Sequence, residues 1–287
     1  MLKKKPLFAI GLVFALGLAI LLYPLVSAWI SKKTSTAAVK SYASTVQHLD
    51  TSARDAMLAA AKAYNAKLSG SPKPNVPQEA DSPQNIAYQA QLNVENIMGT
   101  LDIPSIDVHL PIAHGVGEEA LQQGVGHLPE SSLPVGGEGT HAVLSAHCGL
   151  PNARLFTDLD QIKQGDVFYV QVLGETLAYK TDQIKIVLPE EVEALEIVQG
   201  KDYVTLLTCT PYGVNSHRLL VRGVRVPYVP QNSEAPRNPA QMPASPESPP
   251  KRWLWLLAIP ILPLVLWVKH RKNKHQKGSE ADAKASS

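Results

Sequence analysis

The sequence predicts an all-β domain with a single core, entered through a helical segment and carried between two membrane spans. Three observations lead there. Residues 96–227 are a succession of short apolar runs such as THAVLSAH, DVFYVQVLG, YVTLLTC and HRLLVRGVRV, cut by Gly, Pro and Asp. Roughly six to eight such strands make a barrel or sandwich of the size one core supports. Uncharged apolar blocks lie near both ends of the chain, and an alanine-rich stretch precedes the β-region.

In chain order, residues 1–33 hold a short basic stub, Lys3-Lys4-Lys5, and the run LFAIGLVFALGLAILLYPLVSAWI, which is long enough to cross a bilayer as a helix. A cleaved signal peptide shares the basic start and apolar core, but this run exceeds a usual signal core and reads as an uncleaved anchor. Residues 34–70 carry good helix formers, as in SARDAMLAAAKAYNAKL, and stop at Ser69-Gly70-Ser71-Pro72, so they predict one or two membrane-proximal helices. Residues 71–95 begin with the proline-rich SPKPNVPQEADSPQ, which has no periodic apolar face and reads as an extended surface loop. Inside the β-domain, 96–227, the helical candidates are short: EEALQQGV and the stretch around LFTDLDQI. Residues 228–252 are a proline-rich linker unable to bury a core. Residues 253–268, WLWLLAIPILPLVLWV, are a short second span whose tryptophans suit the interface, and the basic tail 269–287 follows. Positive charge outside both spans predicts cytoplasmic termini and an outward-facing middle, although Lys32 and Lys33 put charge on the outer flank too.

The formal net charge of +2 comes partly from those membrane flanks, so it points to lipid contact and gives no ground for a nucleic-acid surface. His141, His147, Cys148, Cys209 and His217 are zinc-ligand types without the paired spacing of a zinc site, so neither metal nor cofactor is expected. The two cysteines, in an outward-facing domain, either form one disulfide or leave at least one thiol for chemistry. His127 and the glycines of GVGHLPESSLPVGGEG read as loop-shaping residues, Glu118-Glu119 as a helix start, and His217 as solvated surface.

The stretch TLLTCTPYGVNSHRLLVRG, residues 205–223, reads as a hairpin with Cys209 at the end of one apolar run and Arg218 at the start of the next. These two would face each other across its mouth. A lone cysteine at a strand end is commonly an inert core residue. Here, however, an arginine nine residues on supplies a fixed charge, and His147 ends a further β-run. A thiolate can attack a peptide carbonyl, an imidazole can protonate the departing amine, and a guanidinium can stabilise the tetrahedral oxyanion. No acidic partner for His147 can be picked from the sequence.

At these residues the sequence resembles the sortases, and in detail their class C, pilus-assembling branch. The motif TLxTC, the arginine after it and the histidine about sixty residues before it form the sortase signature. LPIAHGVGEEALQQGVGHLPESSLPVGGEGTHAVLSAH, GLPNARLFTDLDQIKQGD and TLLTCTPYGVNSHRLLVRG extend the likeness through residues 97–226, and the two-span layout shares it. The resemblance implies an eight-stranded β-barrel and a transpeptidase on a Gram-positive-type cell surface. It implies cleavage of an LPxTG-like sorting signal between Thr and Gly through a thioacyl intermediate, with transfer to a lysine amine of a pilin subunit. His147, Cys209 and Arg218 match the family's catalytic histidine, cysteine and arginine. Attachment of surface proteins to peptidoglycan is the alternative within the same chemistry, and an inert surface or pilus accessory domain is the alternative outside it.

Two departures stand out. The family's HRGLP is HCGLP here, so Cys148 replaces an arginine; strand alternation turns it away from Cys209, which reads as a neutral replacement, and a redox pairing of the two is the rival reading. Class C enzymes commonly carry an Asp-Pro-aromatic lid motif before the barrel. The nearest match is Asp81-Ser82-Pro83, which lacks the aromatic, so a loosely anchored cover is expected from this segment.

Overall fold

A computed structural model describes residues 5–68, 83–150 and 153–229. The second apolar block at 253–268, the flanking linker and tail, and the lid residues Asp81 and Ser82 lie outside the described residues.

Helix α1 (Lys5–His48) starts as the apolar run and continues without a break past residue 33. Its first part exposes Leu12, Phe14, Ile20, Leu21, Val26 and Ile30, and it is the one described helix long and apolar enough to cross a membrane, with mean hydropathy 2.2. Beyond Ile30 the helix gains a buried face: Ser35, Val39, Tyr42 and Val46 recur at three- and four-residue spacing against the barrel. Helix α2 (Thr51–Leu68) follows after a two-residue break, burying Leu58, Ala61 and Asn65. The Asn65 amide imitates a backbone pair, donating to Leu133 O at 3.0 Å and accepting from Leu133 N at 2.7 Å. Helix α3 (Pro83–Gln89) is a short helix within the segment read from sequence as loop.

Eight strands then close a barrel: β1 (Ile97–Ile103), β2 (Val108–His114), β3 (Val125–His127), β4 (Thr140–Ser145), β5 (Val167–Val172), β6 (Glu175–Val187), β7 (Asp202–Thr210) and β8 (His217–Val226). Around the barrel the order is β1-β2-β3-β4-β7-β8-β6-β5. Pairings are antiparallel except β2 with β3 and β4 with β7. The parallel β2–β3 step is bridged by helix α4 (Glu118–Gln123), the EEALQQ of the sequence. The LFTDLDQI stretch supplies only a single 3-10 turn, Leu159–Gln161. The barrel is filled by Leu101, Ile112, Val125, Leu144, Phe156, Phe168, Val170, Tyr179, Leu206 and Val221, each at most 1% exposed. At Gly223 a Cβ would come within 2.6 Å of the Phe168 ring, so the residue's lack of a side chain lets that ring fill the barrel centre.

Alternation sorts β7 into two faces. Leu206 and Thr208 point inward and are buried, so Thr205, Leu207 and Cys209 point out. On the outside, Val143, Leu195 and Leu220 form a second small apolar cluster, with Leu128, Val187, Ala194 and Leu207 partly buried around it. Leu195 belongs to the loop between β6 and β7, whose turn Glu193–Leu195 folds back over the outer surface of β4, β7 and β8.

Candidate active site

The β7–β8 hairpin places Cys209 directly opposite Arg218 in its antiparallel register, one pair before the loop begins at Thr210 and His217. Arg218 is held at this mouth by its own loop: Nη1 donates to Asn215 O at 3.2 Å and to His217 O at 3.1 Å. Asn215 turns the chain with φ +59°, a conformation its short polar side chain tolerates. Both Cys209 and Arg218 are half-buried, so neither is sealed in the core.

His147 arrives from β4. That strand runs parallel to β7 with Ser145 beside Leu207, and the pairing outlasts the strand: Ala146 N donates to Leu207 O at 3.2 Å and Thr208 Oγ1 donates to Ala146 O at 2.7 Å. His147 lies two residues past the end of β4, and this register directs the chain there toward the end of β7 that carries Cys209. Cysteine, histidine and arginine thus come from three consecutive strands of the barrel order, β8, β7 and β4. Nε2 of His147 is buried without a hydrogen-bond partner, and Oε2 of Glu118, from the first turn of α4, lies 3.7 Å away. That distance is long for a hydrogen bond but within reach of an ion pair once the ring is protonated. In the sequence Glu118 reads only as a helix start, and nothing in the spacing links it to a histidine that follows β4.

Cys148 follows in the bend beyond β4, half-buried and near Asp160, Cys209 and Asp158. Both cysteines are free. Burial pushes the Cys148 thiol up, with the carboxylates of Asp160 and Asp158 and the nearby Cys209 sulfur adding to it, which suppresses its thiolate. The next residue, Gly149, has φ +81°, and a Cβ there would sit 3.1 Å from the Tyr212 ring. The chain can therefore turn sharply after Cys148 and let Tyr212, of the β7–β8 loop, close against it.

His127 and His141 have structural surroundings that the sequence did not signal. His127 is fully buried: its Nε2–H donates to Ser132 O at 2.8 Å, and its Nδ1 accepts from the Tyr88 hydroxyl at 2.9 Å. Tyr88 accepts in turn from Gly115 N, so α3 is pinned to the barrel at its C-terminal end. His141 is buried under the β6–β7 loop. Burial lowers both imidazoles to about 4, against partial opposition from the carbonyl each donates to. His217 is half-exposed and bonds Ser216. Among the described residues no three His, Cys, Asp or Glu side chains converge as a metal site needs.

Comparison with known proteins decides the family. The Sortase domain profile matches residues 101–226. The structure of Streptococcus agalactiae sortase C1 is 47% identical, with TM-score 0.63, over 68% of this chain and 99% of that one. Sortase C-1 of Actinomyces oris is 49% identical, with TM-score 0.59, over 62% of this chain and 99% of that one. The chain belongs to the sortase family. Its structural neighbours are class C sortases, so the barrel and the Cys209–Arg218 hairpin are those of a family of cysteine transpeptidases. Similarity to Sortase A of Streptococcus agalactiae serotype III (strain NEM316) is 33% over 117 residues, 40% of this chain and 47% of that one. Sortase A of Bacillus anthracis is 31% identical over 47% of this chain and 62% of that one. The match spans about half the length of the first of these curated relatives.

Proposed function

We propose that this sortase is a membrane-tethered cysteine transpeptidase that cleaves an LPxTG-like signal and joins it to a lysine amine of a pilin subunit. The observation that carries the reading is the pairing of Cys209 with Arg218 at the hairpin mouth, with His147 following β4 toward the same end, beside an apolar strip formed by Leu128, Val187, Ala194 and Leu207. Such a strip suits the leucine and proline of the signal, and its end at Cys209 leaves the Thr–Gly bond at the sulfur. The Cys209 thiolate attacks the threonine carbonyl while the Arg218 guanidinium stabilises the oxyanion. Collapse breaks the C–N bond, His147 gives its proton to the glycine amine, and a thioester remains. The lysine amine then attacks that thioester; the C–S bond breaks, an isopeptide bond forms and the thiol is restored.

Transfer to pilin is favoured over peptidoglycan by the likeness to class C sortases, which covers 70% of this chain. The apolar part of α1 supports an N-terminal anchor, and the block at 253–268 a second one, with the barrel outside the cell and both termini in the cytoplasm. The test is incubation of the full-length protein in detergent with an LPxTG peptide, with and without a lysine-bearing acceptor. Mass spectrometry should find a thioester on Cys209 and a ligated product, both lost in Cys209→Ala. Cleavage that persists in Cys209→Ala ends the reading, and cleavage without ligation replaces it by hydrolysis.

A further inference from the structure

The β6–β7 loop runs along the outer face for more than a dozen residues, from Val187, which pairs with Arg218, to Asp202 at the far end of β7. A loop of this length needs fixing if it is to act as the wall of a groove. One anchor is apolar: Leu195 is 6% exposed on the Val143 and Leu220 cluster. The other is His141 on β4. Its Nδ1 lies 2.8 Å from Glu196 O, which can only accept, so Nδ1 carries the proton and donates. Its Nε2, 2.7 Å from Thr205 Oγ1, is then the acceptor for that hydroxyl. The ring is thereby set in one tautomer and one orientation.

The surroundings hold the ring in turn. Tyr203, its register partner, meets it edge-on with centroids 5.6 Å apart. The Arg222 guanidinium lies 4.2 Å over Tyr203 and is paired through two hydrogen bonds with Asp182. Ser132 brackets the backbone of His141, its hydroxyl facing His141 N at 3.0 Å and its own N donating to His141 O at 3.0 Å. This group sits six residues along β4 from His147, so it does not reach the chemistry. It does reach the loop that lies over the apolar strip.

We infer that His141 is a positioning residue, which holds the β6–β7 loop as the wall of the donor groove through its bond to Glu196 and so sets affinity for the sorting signal. The inference rests on the transpeptidase reading above. Its effect therefore belongs to KM for the donor and not to kcat, since Cys209, His147 and Arg218 are untouched. His141→Leu keeps the apolar volume and removes the donor; His141→Asn returns an N–H at the position of Nδ1. Losing one hydrogen bond at the loop should raise donor KM about tenfold in His141→Leu, with kcat within about twofold, and His141→Asn should recover most of it.

Hydrogen exchange of residues 188–200 supplies a readout that needs no substrate. It should speed up in His141→Leu and return toward wild type in His141→Asn. Faster exchange without any peptide cleavage by wild type would sink the transpeptidase reading and leave the clamp standing. A folded His141→Leu protein with unchanged KM and unchanged exchange overturns the clamp, as does a fall in kcat at constant KM. If His141→Leu does not fold, His141→Asn decides: donor KM or loop exchange far from wild type overturns the inference, and wild-type values in both support it.

Discussion

Oε2 of Glu118 lies 3.7 Å from Nε2 of His147, a nitrogen otherwise buried without a partner. The carboxylate is largely exposed, so as a stabilising contact it is worth little. Its weight falls on the reaction, where a proton must sit on the ring before the amine leaves. Glu118→Gln should lower kcat by a factor of about three to ten and leave donor KM and thermal stability near wild type. Because the pair is exposed to solvent ions, added salt should slow the wild type and leave Glu118→Gln largely unaffected. Equal salt responses in the two proteins would show that the carboxylate plays no part.

Arg218 is held by two backbone carbonyls of its own loop, which fixes the planar guanidinium at the hairpin mouth beside Cys209. Lysine keeps the charge but not the fork. Arg218→Lys should reduce kcat about a hundredfold, the loss associated with one oxyanion donor, while the protein remains folded. Steady-state kinetics with the donor peptide measure this, and wild-type kcat in Arg218→Lys would remove the arginine from the mechanism.

His127 and His141 both titrate at about 4 in the fold, against an ordinary value near 6.5 once unfolded. Between those values the unfolded chain binds more protons, so stability is complete above about pH 6.5 and drains away as the pH falls toward 4. At pH 5 each imidazole costs about 2 kcal/mol, to first order. Urea unfolding of the full chain in detergent should therefore show a clear drop in midpoint from pH 7 to pH 5. A flat profile would mean that one or both rings are charged or solvated in the fold.

The barrel was legible because its strands alternate and are punctuated by turn residues, and the Cys209–Arg218 pairing because a nine-residue separation closes a hairpin locally. What stayed hidden depends on partners far apart in the chain. Nothing in the sequence near Glu118 announces His147, which reaches it only through β4. His141 looked like one more zinc-type side chain, yet its function in the fold is decided by Glu196 and Thr205. The loop reading of 71–95 misses α3 because a seven-residue helix carries little periodicity; Tyr88 ties it to His127 and Gly115, partners far along the chain. Likewise, the boundary drawn at residue 33 follows composition, whereas α1 runs through it because Val39, Tyr42 and Val46 give the helix a second, barrel-facing stripe.

That stripe contains the clearest stability test. Tyr42 is buried, and its hydroxyl donates to Met98 O at 3.1 Å while accepting from Leu173 N at 2.9 Å. Both partners are groups that the sheet itself leaves over. Met98 is the residue skipped where the β1–β2 register shifts, and Leu173 opens the two-residue turn between β5 and β6. Burial accordingly raises the phenol to about 12. Tyr42→Phe keeps the ring's packing but strands an N–H and a carbonyl in the interior, at a cost of about 1–3 kcal/mol. The urea midpoint should fall accordingly, while donor kcat/KM stays within about twofold because Cys209 lies on other strands. An unchanged midpoint would mean that water reaches these two groups and that α1 docks more loosely than its buried face implies.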